Sequence, residues 1–241
     1  MSGHSHFSSI KHKKEITDKK RGQIFSKLSR QISVTAREGG ADPDINSKLR
    51  LAIEMAKRLN MPSENIERAI KKGTGELEEA KLEPITFEAY GPGRIALIIE
   101  GITDNKNRAL NEIKQILSQN NGKLAGEGSV KWLFERKGVI TVNSKQLTVS
   151  REDLELKAIE AGAEDIYWHN DILDIYTKIE DLDKVKKNLE NQAIKIDSAS
   201  LDWAAKEQIL IGEKEKETAQ RLFESLDESD AVQEIYSNLK T

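Results

Sequence analysis

Apolar positions recur at helical spacing in the first third of the chain. Ile24, Leu28 and Ile32 stand four apart, which predicts an amphipathic helix over about Lys19–Glu38. Lys27, Arg30 and Arg37 are expected on a different side of it. Gly39-Gly40 ends the helix, and Asp42-Pro43 starts a turn. Leu49, Ile53 and Ala56 predict a second helix, about Asn46–Asn60, broken by Met61-Pro62-Ser63. Ser63 is the N-cap of a third, Glu64–Lys72, which Gly73 stops. Gly73–Glu83 then reads as an acidic linker.

Past the linker the period shortens. Ile85–Tyr90 and Arg94–Gly101 read as strands around a Gly91-Pro92-Gly93 turn. Asp104 caps a helix with Leu110, Ile113 and Leu117 inward, and Val130–Glu135 reads as a strand. Next come a strand at Val139–Val142, a helix from a Ser150/Asp153 capping box to Gly162, and strands at Asp165–Trp168 and Ile172–Tyr176. A helix marked by Leu182, Val185 and Leu189 and a strand at Ala193–Ile196 complete βαββαβ, the ferredoxin-like order. Gln208–Ile211, Glu213–Asp227 and Ala231–Tyr236 add a final βαβ. That last unit pairs most economically with the incomplete half over 94–135.

The pattern therefore predicts an α+β protein: an N-terminal three-helix domain followed by two ferredoxin-like α/β domains, one discontinuous. The expected boundaries are a flexible basic tail at 1–18 and a helical domain at 19–75. A discontinuous α/β domain takes 84–136 plus 206–241, with an inserted one at 137–205.

Charge sharpens this picture. Residues 1–75 carry 16 basic and 8 acidic side chains, a net of +8, whereas residues 76–241 sum to −11 and the whole chain to −3. Positive charge concentrated on an acidic chain marks contact with a polyanion. The candidate nucleic-acid-binding residues are Lys11, His12, Lys13, Lys14, Lys19, Lys20, Arg21, Lys27, Arg30 and Arg37. A helix–turn–helix cadence from Ala56 to Arg68 adds Arg68, Lys71 and Lys72, with Asn65 beside them; any tight helical hairpin has the same spacing. Phe7, Asn105, Asn107 and Arg108 are candidate partner contacts, although on spacing alone 103–108 is an N-cap with a solvated first turn.

Other chemistry finds little support. There is no cysteine, which removes disulfides, thiol catalysis and cysteine zinc sites. No Walker-type or dinucleotide-binding glycine motif occurs, and no nucleophile-plus-base signature assembles. The expectation is a non-enzyme without metal, cofactor or small-molecule substrate. No apolar run approaches the roughly 18 residues that span a bilayer. No membrane partner is expected, and the cytoplasm is the expected compartment.

Several runs in this order carry a resemblance: GHSHFSSIKHKK, DKKRGQIFSKL, NMPSENIERAIKKG, YGPGR, TDNKNR, GSVKWLFERKGVI, EAGAED and DAVQEIYSN. From Gly3 to about Asn238 the chain resembles the YebC/PmpR family, which includes the mitochondrial translational activator of cytochrome c oxidase. The resemblance implies three domains, the middle one completed by the C-terminus. It implies a DNA-binding transcriptional regulator or, alternatively, a ribosome-associated factor that binds rRNA and eases stalled elongation, for example at proline runs. Three places, two single residues and one short run, depart from the family pattern. Phe7 replaces a usual Trp, Arg94 a usual Gly, and Ser229-Asp230-Ala231 a more acidic run.

Overall fold

The computed structural model describes residues 18–77, 80–146 and 149–240. Helices α1 (Asp18–Gly39), α2 (Ser47–Arg58) and α3 (Ser63–Thr74) come first. Ile24, Leu28 and Ile32 face Leu49, Ala52, Ala56, Ile66 and Ala69 in one small core. Asn46 caps α2 by accepting from the Leu49 amide at 3.1 Å, and its side-chain amide donates to the Thr35 and Gly40 carbonyls. Asn60 turns the chain between α2 and α3 at a φ of 58°.

Gly73 does not stop α3. The helix runs past it to a left-handed cap at Gly75. A Cβ on Gly73 would lie 2.3 Å from the Ser33 carbonyl oxygen of α1, so the missing side chain lets the two helices cross closely. Ser33 locks this crossing by donating to the Ala69 carbonyl at 2.7 Å. Nor does Ser63 cap α3, since Pro62 occupies the N-cap position.

The next elements are β1 (Glu83–Tyr90), β2 (Ala96–Thr103), α4 (Lys106–Gln119) and the two-residue β3 (Lys123–Leu124). They are followed by β4 (Phe134–Asn143), α5 (Arg151–Ala161), β5 (Asp165–His169) and β6 (Ile172–Thr177). α6 (Leu182–Asn191), β7 (Ser198–Ala205), α7 (Glu213–Glu228) and β8 (Val232–Ser237) end the chain. Two four-stranded antiparallel sheets result, ordered β3-β1-β2-β8 and β5-β6-β4-β7. Phe134–Gln208 forms one compact unit; the described residues up to Leu133, with Ile209–Leu239, form the other.

Within Phe134–Gln208 the order is the expected βαββαβ. Ser150 accepts from the Asp153 amide to start α5, and Gly162 ends it in the left-handed region. In the other unit the same spatial order is reached by a different path. β1, from the front of the chain, sits between β2 and β3, where a continuous ferredoxin-like chain would place its third strand. Gln208–Ile211 supplies only an isolated bridge, Ile209 to Leu239. The core between this sheet and α4 and α7 is built from Leu97, Ile99, Ile113, Leu117, Leu222 and Leu226.

Two other expected strands move. Val130–Glu135 is a 3-10 turn at Lys131–Leu133 that leads straight into β4, so that run and Val139–Val142 share one strand. Ala193–Ile196 is not a strand: Ala193 has a φ of 60°, and β7 begins only at Ser198. Asn105, not Asp104, caps α4, and Ala109 rather than Leu110 is buried there. Arg94 sits at a φ of 64°, the region that favours glycine.

Candidate nucleic-acid interface

The charged residues of the helical module are placed by its three-helix packing. Phe7, Lys11, His12, Lys13 and Lys14 lie outside the described residues. Lys19, Lys20 and Arg21 occupy the first turns of α1, and Lys20 and Arg21 are exposed. Cations there oppose the helix dipole, at a cost of a few tenths of a kcal/mol each, and add to the positive potential at that end. Arg37 is exposed at the far end, about 25 Å along the axis from Lys20. Arg68 and Lys71 are exposed on α3, alongside Asn65. The sequence reading passed over Lys57 and Arg58, exposed in the last turn of α2; their signal was a basic pair at a helix end.

Lys27 departs from its expected place. Its residue is 5% exposed, and the ammonium donates to the Asp227 carbonyl oxygen at 2.7 Å and to the Asp227 carboxylate at 2.8 Å. It joins α1 to the end of α7 and is withdrawn from any outside ligand. Arg30 is also engaged: its guanidinium donates to the Asp230 carbonyl and faces the Asp230 carboxylate at 3.8 Å.

Lys27→Met therefore separates structure from binding. It leaves the Asp227 carboxylate, 23% exposed, without its ammonium partner. Partial access of water reduces the full penalty of a broken buried pair, to about 2 kcal/mol. Melting should show that loss while nucleic-acid affinity stays within about twofold; the reverse result would make Lys27 a contact.

Arg30, Lys72 and Arg108 share a cleft of about 770 Å³ in this unit with Asp104, Glu112, Glu228 and Asp230, and with the hydroxyls of Ser26, Ser29 and Ser33. Four carboxylates against three cations do not make a phosphate channel. Arg108 pairs with Asp104, and Asn105 accepts from the Arg108 amide at 3.0 Å, which gives Asn105 a capping role; Asn107 is exposed. The structure brings Arg30, Lys72 and Arg108 together, buries Lys27, and leaves Lys20, Arg21, Arg37, Arg68 and Lys71 exposed on the helical module. Among the described residues, no helix is long and apolar enough to cross a membrane.

A helical module with cations on its outer surface, followed by two ferredoxin-like halves of which one is split, defines a modular α+β protein. Its residues 5–76 match the TACO1/YebC protein N-terminal domain, and residues 82–239 match the TACO1/YebC second and third domain. The chain belongs to the TACO1/YebC family. It is 47% identical over 239 residues to a probable transcriptional regulatory protein of Halothermothrix orenii, covering 99% of this chain and 94% of that one. It is also 47% identical over 240 residues to one of Pseudothermotoga lettingae, covering 100% and 94%. The fold is similar to the crystal structure of a conserved hypothetical protein from Aquifex aeolicus, with a TM-score of 0.90 and 44% identity over 98% of this chain and 97% of that one.

Proposed function

We propose that the chain is a non-enzymatic, nucleic-acid-binding regulator of gene expression that acts in the cytoplasm as a DNA-binding transcriptional regulator. One observation carries the reading. Eight Lys or Arg against two acids fall within Met1–Arg30 of a chain whose net charge is −3; apart from Lys27 and Arg30, which hold the fold, three of them sit where the α1 dipole disfavours cations. Counterion release on contact with a polyanion would offset the cost of that placement. The names of the relatives, probable transcriptional regulatory proteins, support the transcriptional form.

A second reading, a ribosome-associated factor bound to rRNA, is favoured by α3. The early turns of a groove-reading helix approach base edges and the phosphates beside them. On α3 those turns expose Glu64 and Glu67, with Arg68 and Lys71 only further along. Carboxylates at that point repel the phosphates that flank a groove, which disfavours groove entry, whereas irregular RNA can be met by shape through the Arg68 and Lys71 side.

The test runs both ways at about 150 mM salt, where weak ionic binding is suppressed. Promoter fragments shifted selectively in the presence of competitor RNA support transcription. Co-sedimentation with ribosomal subunits, lost when residues 1–21 are removed, supports translation. Neither result would end the nucleic-acid reading.

A further inference from the structure

An exposed tryptophan stands on the unit that carries the helical module, outside the basic surface just described. Trp132 is 66% exposed, yet it belongs to a tightly built loop. The buried Glu88 carboxylate accepts the amides of Gly128 at 2.6 Å, Val130 at 2.7 Å and Lys131 at 2.8 Å. The Ser129 carbonyl accepts the Trp132 indole N–H at 3.0 Å and the Tyr90 hydroxyl at 3.3 Å. One edge of the indole is thus tied down while much of the ring meets solvent. Burial of an apolar core does not account for this arrangement, because the ring is held out of the core.

The surroundings say what would cover it. Lys131 is the preceding residue and is exposed. Lys123 lies over the Tyr90 ring with its ammonium 5.7 Å from the centroid. Gly126 and Gly128 leave the rim low, and Glu127 is the one exposed carboxylate of the loop. Protein-binding hot spots cluster large apolar residues, but no other exposed large hydrophobic lies between 121 and 133. A fixed aromatic with one exposed lysine next to it and a second over the neighbouring Tyr90 ring is instead the pattern of a base-stacking platform, with cations for the adjoining phosphates.

We infer that Trp132, with Lys131 and Lys123, stacks an unpaired nucleobase of a single-stranded segment of the bound nucleic acid. The inference rests on the nucleic-acid reading above and adds a contact that the basic N-terminal residues cannot make. Charge alone cannot tell a paired from an unpaired base, whereas a stacking ring requires one that is free.

The test uses the full chain and three labelled probes at about 150 mM salt: an unstructured RNA of about 12 nucleotides, the same sequence as single-stranded DNA, and its DNA duplex. Trp132→Ala should weaken single-strand binding about tenfold or more and leave the duplex within twofold, with an unchanged melting temperature. Trp132→Tyr should keep binding within about threefold. Loss with RNA alone would identify an RNA strand; equal loss with RNA and single-stranded DNA would identify any unpaired strand. Unchanged binding by Trp132→Ala, or an equal loss on the duplex, would overturn the inference and leave the proposed function standing. Failure of the unaltered protein to bind any of the three would overturn both.

Discussion

Replacing Lys11, Lys13, Lys14 and Lys20 together with Gln should lower nucleic-acid affinity on the order of 100-fold at about 150 mM salt and leave folding stability nearly unchanged. Each cation that neutralises a duplex phosphate contributes about 0.9 to the slope of log affinity against log salt. The slope should therefore fall by about 3 to 4, a signature that loss of a hydrogen bond or an apolar contact does not give. Leaving out Lys27 and Arg30 follows from the structure. Lys27 and Arg30 look equally suitable in the sequence, but both hold the end of α7 and its following turn. Changing them would mix unfolding with lost binding, whereas Lys20 is exposed. Equal affinities and equal slopes for the altered and unaltered chains would remove the basis of the proposed function.

The residues that misled the sequence reading share a cause. Elements with a local signal were legible: the Ile24, Leu28, Ile32 stripe, the Ser150 cap and the aromatic and β-branched runs of β5 and β6 all act through neighbours a few residues away. Lys27 lies about 60° round the helix from Ile24, at the edge of the apolar stripe. Its fate was decided by Asp227, 200 residues later. Gly73 resembled a helix stop because glycine commonly is one, but here it answers to the Ser33 carbonyl on another helix. Val130–Glu135 has the composition of a strand. Its first residues were drawn into a turn by Glu88, more than forty positions earlier. The same distance hid Trp132, which reads in sequence as one more apolar residue. In the candidate interface, the cluster of charge was legible, while the division between cations that bind outward and cations that hold the fold was not.

That remote carboxylate gives the largest effect on stability. Glu88→Gln should cost about 4 kcal/mol at pH 7 and lower the melting temperature by about 10 °C. Glu88 is 6% exposed, and its two oxygens satisfy three backbone amides. A glutamine offers one acceptor oxygen and turns an N–H₂ toward the remaining donors, so at least one buried amide loses its partner and meets another donor. The effect must also depend on pH with a definite sign. Burial pushes the Glu88 carboxyl up; the amides of Val130, Gly128 and Lys131 and the Lys131 charge together outweigh it, and the group sits below its ordinary 4.5. The ionised form is thus the one the fold favours. Its stabilisation is complete above the unfolded value and is lost as pH falls through the lower folded value. Denaturant unfolding of the two chains should show a wide gap at pH 7 that narrows below about pH 4.5, since protonation does to Glu88 much of what the substitution does. Because the same three amides shape the loop that holds Trp132, the indole emission should change alongside stability in Glu88→Gln. A gap absent at pH 7, or one that widens in acid, would mean that the loop is held by something other than this carboxylate.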